Sequence, residues 1–212
     1  GKFLLIEAAY VIWVKAMVYS FEEQWKKGQE RIKEYGLEGQ VEIELIDYRD
    51  VAASGRTFDR IVSIGMLEHV GRPNFPLYME DASDMLKDGG LFLLHYISDP
   101  SEKETSAWIR KYIFPADFAV LREMVSLAYD YDMNVIDVES LRYHYYKTLI
   151  IGITISKGVR EQVEVKRGSE FVRMWDLILC GCAAGFYIGN MDLHQILMTK
   201  GVTNELPLTR WY

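Results

Sequence analysis

Two cysteines are all the chain has, Cys180 and Cys182, and they sit two apart on a segment expected to be helical. Side chains so spaced point to different faces, which excludes a disulfide or a cysteine metal pair between them and fits a reducing cytoplasm. Positive charge is also short. The formal net charge is −7, with Lys and Arg interspersed among acids, so the electrostatic footprint of a nucleic-acid binder is missing. No apolar run reaches the roughly 18 residues of a membrane span. Phe3 to Val14 is interrupted by Glu7 and lacks a small-residue cleavage site. No pair of histidines has metal-ligand spacing with a carboxylate. Repeats, low-complexity tracts and obvious linkers are absent too. The chain begins at Gly1 without an initiator methionine, as a fragment or a processed chain would.

What is there is a core. Half of the residues are hydrophobic, enough for one substantial α/β domain over residues 1–212. The stretch from Phe58 to Ser98 organises it. Arg60 to Ile64 reads as a buried strand ending at Gly65. Tyr78, Ala82, Met85 and Leu86 recur at helical spacing, Lys87-Asp88-Gly89-Gly90 reads as a helix stop, and Leu91 to Leu94 as a second strand. This is the order and length of a right-handed βαβ crossover with parallel strands. Glu68 and His69 then follow the carboxyl end of the first strand, and His95 that of the second. Ligands of open α/β sheets bind beyond those ends, so an acid and an imidazole fall in the expected crevice.

Upstream, Lys2 to Tyr10 reads as helix and Val11 to Tyr19 as strand. Ser20 with Glu23 makes a capping box, Trp25, Gly28, Ile32 and Tyr35 mark a helix face, and Gly36 ends it. Val41, Ile43 and Leu45 alternate with glutamates as a short strand, followed by Asp47 at its end. Downstream, Trp108, Arg110, Lys111, Tyr112 and Phe114 form an aromatic and basic cluster with the make-up of a lid. Phe118, Leu121, Val125 and Ala128 recur as a helix face, Asn134 to Val138 reads as a strand, and Leu149 to Ile155 favours a strand locally, with a helix left open if its surroundings pull it so. Ser169 to Phe186 is expected as a long helix and Leu193 to Thr199 as the last strand.

Several blocks, taken in order, are familiar: FDRIVSIGMLEHVG, GGLFLLHYIS, WIRKYIFP, HYYKTL, GNMDLHQILMTKG and NELPLTR. Together they closely resemble the cyclopropane-fatty-acid-phospholipid synthases and the related mycolic acid cyclopropane synthases. The resemblance implies a Rossmann-like class I methyltransferase fold, α/β, with a mostly parallel sheet, helices on both faces and an antiparallel last strand. It implies S-adenosylmethionine as cofactor and a membrane phospholipid with an unsaturated acyl chain as substrate. In that reaction the cis double bond attacks the sulfonium methyl, and the resulting cation loses a proton from the new methyl group as the ring closes. The proton acceptor in the family is a bound bicarbonate. Its matching positions here are Glu68, His95, Tyr145 and the main chain of Ile97. An alkene is a weak nucleophile, so positioning and exclusion of water carry the rate. Ring faces of Tyr112 and Phe114 are suited to a passing cation.

For the cofactor, the resemblance assigns Gly1, Gln24, Asp47 and Tyr48, with Asp47 accepting from the adenine amino group and Tyr48 against its ring. It also implies peripheral contact with the inner membrane surface, for which Arg110 and Lys111 are the local basic patch, and pairing into a homodimer. Set against the family pattern, the first strand and most of the glycine-rich loop are missing, Gly1 matching the last loop glycine. Met17-Val18-Tyr19-Ser20-Phe21 replaces Gly-x-Thr-Leu-Ser, Ala116-Asp117 replaces a glycine pair, and Tyr187 stands where an arginine is common. Two alternatives stay open: a related methyltransferase with another acceptor, and a non-catalytic remnant. Outside the resemblance, His69, His144 and His194 read as structural, and Asp47 as the start of a turn.

Overall fold

The computed structural model describes residues 22–101, 106–113 and 116–207, apart from the side chain of Gln24. The chain divides into two compact units, residues 1–56 and 57–212. The expected helix and strand before Ser20, the Ser20 cap, Gly1 and Phe114 lie outside the described residues.

In the first unit, helix α1 (Glu22–Glu34) begins with Glu22 and Glu23 against its positive end and closes with Arg31 and Lys33 near its negative end. Gly36 then turns the chain at φ +63°, as expected. Ile43 is clamped on α1. Its carbonyl accepts from Trp25 Nε1 and Gln29 Nε2, both at 3.0 Å, and a Cβ at Gly28 would lie 2.6 Å from Ile43 Cδ1. The strand expected over Val41 to Leu45 is reduced to a single bridge at Val41 among the described residues. Burial of Val41 and Ile43 explains the alternating pattern without a ladder. Asp47 then caps helix α2 (Tyr48–Ala53), its side chain accepting from Arg49 N.

The second unit is built on a four-stranded sheet in the order β1-β2-β4-β3: β1 (Phe58–Ile64), β2 (Leu86–Ser98), β3 (Met133–Ser140) and β4 (Asp192–Lys200). β1 and β2 are parallel, and β4 is antiparallel to both β2 and β3. Three strands thus share one direction and the last opposes them. Helix α3 (Phe75–Met85) makes the crossover from β1 to β2 and buries Phe75, Tyr78, Met79, Ala82 and Met85 along one face. Tyr78 meets Phe92 of β2 with ring centroids 6.4 Å apart. Helix α4 (Ala107–Tyr112) and helix α5 (Leu121–Asp130) follow β2, and α5 leads into β3.

Two expectations in this unit need correction. Lys87-Asp88-Gly89-Gly90 is not the helix stop: α3 has already ended at Met85, and the four residues lie inside β2. Between Phe58↔Leu86 and Arg60↔Leu91 the register slips, so the tetrapeptide bulges out of the ladder with Gly89 at φ +71°. Leu149 to Ile155 is not a strand. It belongs to helix α6 (Arg142–Gly158), which is followed by α7 (Arg160–Arg167) and α8 (Ser169–Ile188) before the chain returns to β4. The branched residues favour a strand only where a neighbouring strand offers a ladder, and α6 packs on α8 instead. α8 is long and apolar enough to cross a membrane by length and composition, with 17% of that window buried. Glu170, Arg173 and Asp176 interrupt it.

Candidate active site

Where β1 stops, its partner β2 continues, and the site grows from that overhang. The last register pair is Ile64↔His95. Gly65, at φ +62°, donates its amide to the His95 carbonyl at 2.9 Å and turns the chain into the short 3-10 helix Leu67–His69. Ile97, two residues beyond His95, is left with a ladder amide that β1 no longer reaches. Glu68 fills the gap: its Oε1 accepts from Ile97 N at 2.7 Å. The Glu68 carbonyl in turn accepts from Asp117 N at 3.0 Å. Backbone on both sides therefore fixes this residue.

Glu68 is 4% exposed, and its second oxygen, Oε2, has no hydrogen-bond partner among the described residues. Burial raises its pKa above the usual carboxylate range, against the opposing pull of the Ile97 amide. A buried carboxyl with one satisfied oxygen and one orphan is what a ligand-binding group looks like before its ligand arrives. The Ile97 amide, a main-chain group expected to contribute toward bicarbonate, is here occupied by Glu68.

Tyr145 enters from α6. Its ring meets Phe186 of α8 edge-on with centroids 4.9 Å apart, and Phe186 is fully buried. Burial raises the Tyr145 pKa, with further increments from Cys182 and Glu68. α6 is anchored there: Leu141 N donates to Leu193 O at 2.7 Å, and the Arg142 guanidinium donates to the Phe186 and Tyr187 carbonyls. His95 lies on the same face of β2 as Ile97, since strand side chains alternate. Its Nδ1 is 3.1 Å from Gln195 Nε2 across the β2–β4 pair. With that amide donating, the ring proton sits on Nε2. Burial lowers the His95 pKa and favours the neutral ring.

The cofactor positions divide differently. Asp47 and Tyr48 belong to the first unit, Gly1 and the Gln24 side chain are outside the described residues, and the four catalytic candidates belong to the second. Asp47 is committed to Arg49, accepting from its amide at 3.0 Å, Nε at 2.9 Å and Nη2 at 2.8 Å. These bonds hold its pKa below the usual value. The turn-starting role expected of an aspartate after an extended segment is therefore present. A carboxylate retains further lone pairs, so an adenine amino group is not shut out.

Residue reasoning missed Gln195 and Cys182, which only the β2–β4 register and the α6–α8 packing place near His95 and Tyr145. It also missed a buried Ser98–His194–Asp192 chain. Ser98 Oγ is 2.7 Å from His194 Nδ1, and His194 Nε2 is 3.7 Å from Asp192 Oδ2. Ser98 is 1% exposed, and its bond to His194 stitches β2 to β4. Among the described residues no cluster suits a metal ion.

The fold is that of the class I methyltransferases, and comparison with known proteins narrows it. The family profile for mycolic acid cyclopropane synthetase matches residues 5–196, and the chain belongs to this family. It is 36% identical over 199 residues to a probable fatty acid methyltransferase of Pseudomonas putida, covering 89% of this chain and 50% of that protein. It is 33% identical over 202 residues to the cyclopropane-fatty-acyl-phospholipid synthase of Escherichia coli, covering 95% of this chain and 51% of that one. The chain thus spans about half the length of these curated relatives. Among solved structures it resembles the mycolic acid cyclopropane synthase CmaA1 complexed with SAH and CTAB: TM-score 0.77 at 23% identity, covering 88% of this chain and 70% of that one.

Proposed function

We propose that this chain is the methyl-transfer part of an S-adenosylmethionine-dependent enzyme that acts on the cis double bond of an unsaturated phospholipid acyl chain and closes a cyclopropane ring. The observation that carries this reading is Glu68: a buried carboxyl, gripped by the Ile97 amide, with Oε2 unpartnered among the described residues. Bound S-adenosylmethionine would supply the electrophilic methyl group, and bound bicarbonate would take the proton lost on ring closure. Glu68 Oε2 is suited to accept from the bicarbonate hydroxyl, while the Tyr145 hydroxyl and His95 Nε2–H are suited to donate to its oxygens. The aromatic edge of Phe186 and the surrounding apolar residues keep water from the cation. Asp47 and Tyr48 are assigned to the adenosine, together with Gln24 and Gly1.

A second reading has its own support, since the P. putida relative is a probable fatty acid methyltransferase. Under it the same residues serve transfer to the double bond, and the resulting cation loses a proton to leave a methylene- or methyl-branched alkene in place of the ring. One experiment separates these readings from each other and from an inactive remnant. The chain is titrated with S-adenosylmethionine by calorimetry, then incubated with vesicles of cis-unsaturated phospholipid, and the fatty acids are analysed by mass spectrometry. A cyclopropane product that falls about 100-fold or more in Glu68→Gln, and that falls when bicarbonate is removed, supports the proposal. A methylene- or methyl-branched product that keeps a double bond supports the second reading. Absence of cofactor binding overturns both.

A further inference from the structure

The excursion between β3 and β4 leaves a surface that the proposed chemistry does not use. α6 and α8 run antiparallel, tied at one end by Arg142 on the Phe186 and Tyr187 carbonyls and by the Tyr146–Tyr187 ring pair at 5.0 Å. On α8 one face buries Val172, Ala183 and Phe186. The opposite face, at spacings of four and three, exposes Leu177, Cys180, Ala184, Tyr187 and Ile188. α6 adds Ile150, Ile151 and Ile155. The exposure is large for such residues: 61% for Ile151, 63% for Ile155, 58% for Leu177 and 65% for Ile188. At the far end of the hairpin an apolar cavity of about 350 Å³ opens among Ile155, Val159, Val163, Phe171 and Trp175.

Charge selects the occupant. Between Leu141 and Met191 there are seven Lys and Arg and four acids, a net +3 in a chain of net −7, so the remaining residues carry −10. We infer that the exposed face of the α6–α8 hairpin lies on a bilayer surface bearing anionic headgroups, with its isoleucines and Leu177 in the acyl boundary and Lys147, Lys157, Lys166 and Arg173 at the headgroups. Tyr143, Trp175 and Tyr187 are residues suited to that boundary. A second copy of the chain would bring +3 against +3 in a two-fold contact, and an anionic lipid surface brings the opposite sign. The hairpin lies on the surface without crossing it, because α8 keeps one side on α6 and carries Glu170, Arg173 and Asp176, the last paired with Arg160. Arg110 of the basic patch expected from sequence is 3.6 Å from Asp117, which offsets its charge. The inference gives the lipid-substrate reading a docking face and is measured without turnover.

The test is co-sedimentation of the whole chain with vesicles of phosphatidylcholine alone and of phosphatidylcholine mixed with phosphatidylglycerol. Binding about tenfold or more stronger to the mixed vesicles is expected. The double variant Ile151→Glu/Leu177→Glu lowers it by a similar factor, and Ile136→Glu on exposed β3 leaves it unchanged. Charge reversal in Lys147→Glu/Arg173→Glu gives the same loss with the apolar face intact, which covers the case of an unfolded double variant. Circular dichroism and S-adenosylmethionine binding are followed on every variant. Vesicle binding unaffected by both double variants overturns the inference. So does a dimer in sedimentation velocity that Ile151→Glu/Leu177→Glu dissolves while vesicles never bind. Loss of cofactor binding with vesicle binding retained would remove the proposed function and leave this surface standing.

Discussion

Glu68 carries a pH signature of its own. Burial makes the folded chain hold the Glu68 proton to higher pH than the unfolded chain, whose carboxyl titrates near 4.5. In the window above 4.5 the unfolded state therefore binds fewer protons, and stability contributed at acid pH is lost as pH rises through the folded value. Glu68→Gln keeps an oxygen for the Ile97 amide and removes the titration. Urea denaturation at pH 4.5 and pH 7 should find the variant gaining relative to wild type at the higher pH; a gap independent of pH would refute the buried-carboxyl assignment. Tyr145→Phe keeps the ring against Phe186 and removes only the hydroxyl. We expect turnover to fall about 10-fold to 100-fold, with S-adenosylmethionine affinity and melting temperature little changed. An unchanged rate would take Tyr145 out of the site.

The bulge in β2 decides the register that delivers His95 and Ile97 to the end of β1. A Cβ at Gly90 would sit 2.7 Å from the Lys87 carbonyl oxygen and 2.8 Å from Leu86 Cδ1, and a backbone oxygen cannot step aside cheaply. Gly90→Ala should cost about 1–3 kcal/mol by denaturant unfolding; a neutral result would mean that the bulge is free to remodel. This element also shows where sequence was legible and where it was not. The βαβ order, the ends of β1, β3, β4 and α8, and the placement of Glu68 and His95 at strand ends follow from periodicity and glycine positions. Lys87-Asp88-Gly89-Gly90 carries the chemistry of a helix stop and of a bulge alike, and only pairing with Phe58 and Arg60 distinguishes them. Leu149 to Ile155 misled in the opposite way, since β-branching records a preference that a helical partner overrides. Gln195 and Cys182 gave no local sign at all: their neighbours lie far away in sequence.

At the scale of the whole molecule, acidity and the inferred lipid contact are reconciled by segregation. The chain totals −7 while the segment between β3 and β4 is positive, so attraction to anionic vesicles is local and must be screened by salt. Raising ionic strength from low to physiological brings the Debye length to about 8 Å, and binding should weaken several-fold, yet persist in part through Ile151, Ile155 and Leu177. Complete insensitivity to salt would contradict the charge argument, as would complete loss. The family match over residues 5–196 includes this segment, and its exposed apolar surface is built on the same two helices that seat Tyr145.

β3 and β4 are antiparallel neighbours, yet 51 residues separate Ser140 from Asp192. A tight hairpin would let such strands zip early; here their ends must find each other across a long loop, with the closure entropy that entails. β4 moreover slots between β2 and β3, so it enters a gap whose two walls must already be near their final spacing. The His95–Gln195 contact and the Leu141 anchor of α6 on Leu193 both wait on that entry. The proposed site thus depends on closure of this long loop: His95 gains Gln195, and α6 its Leu193 anchor, only where β4 has paired.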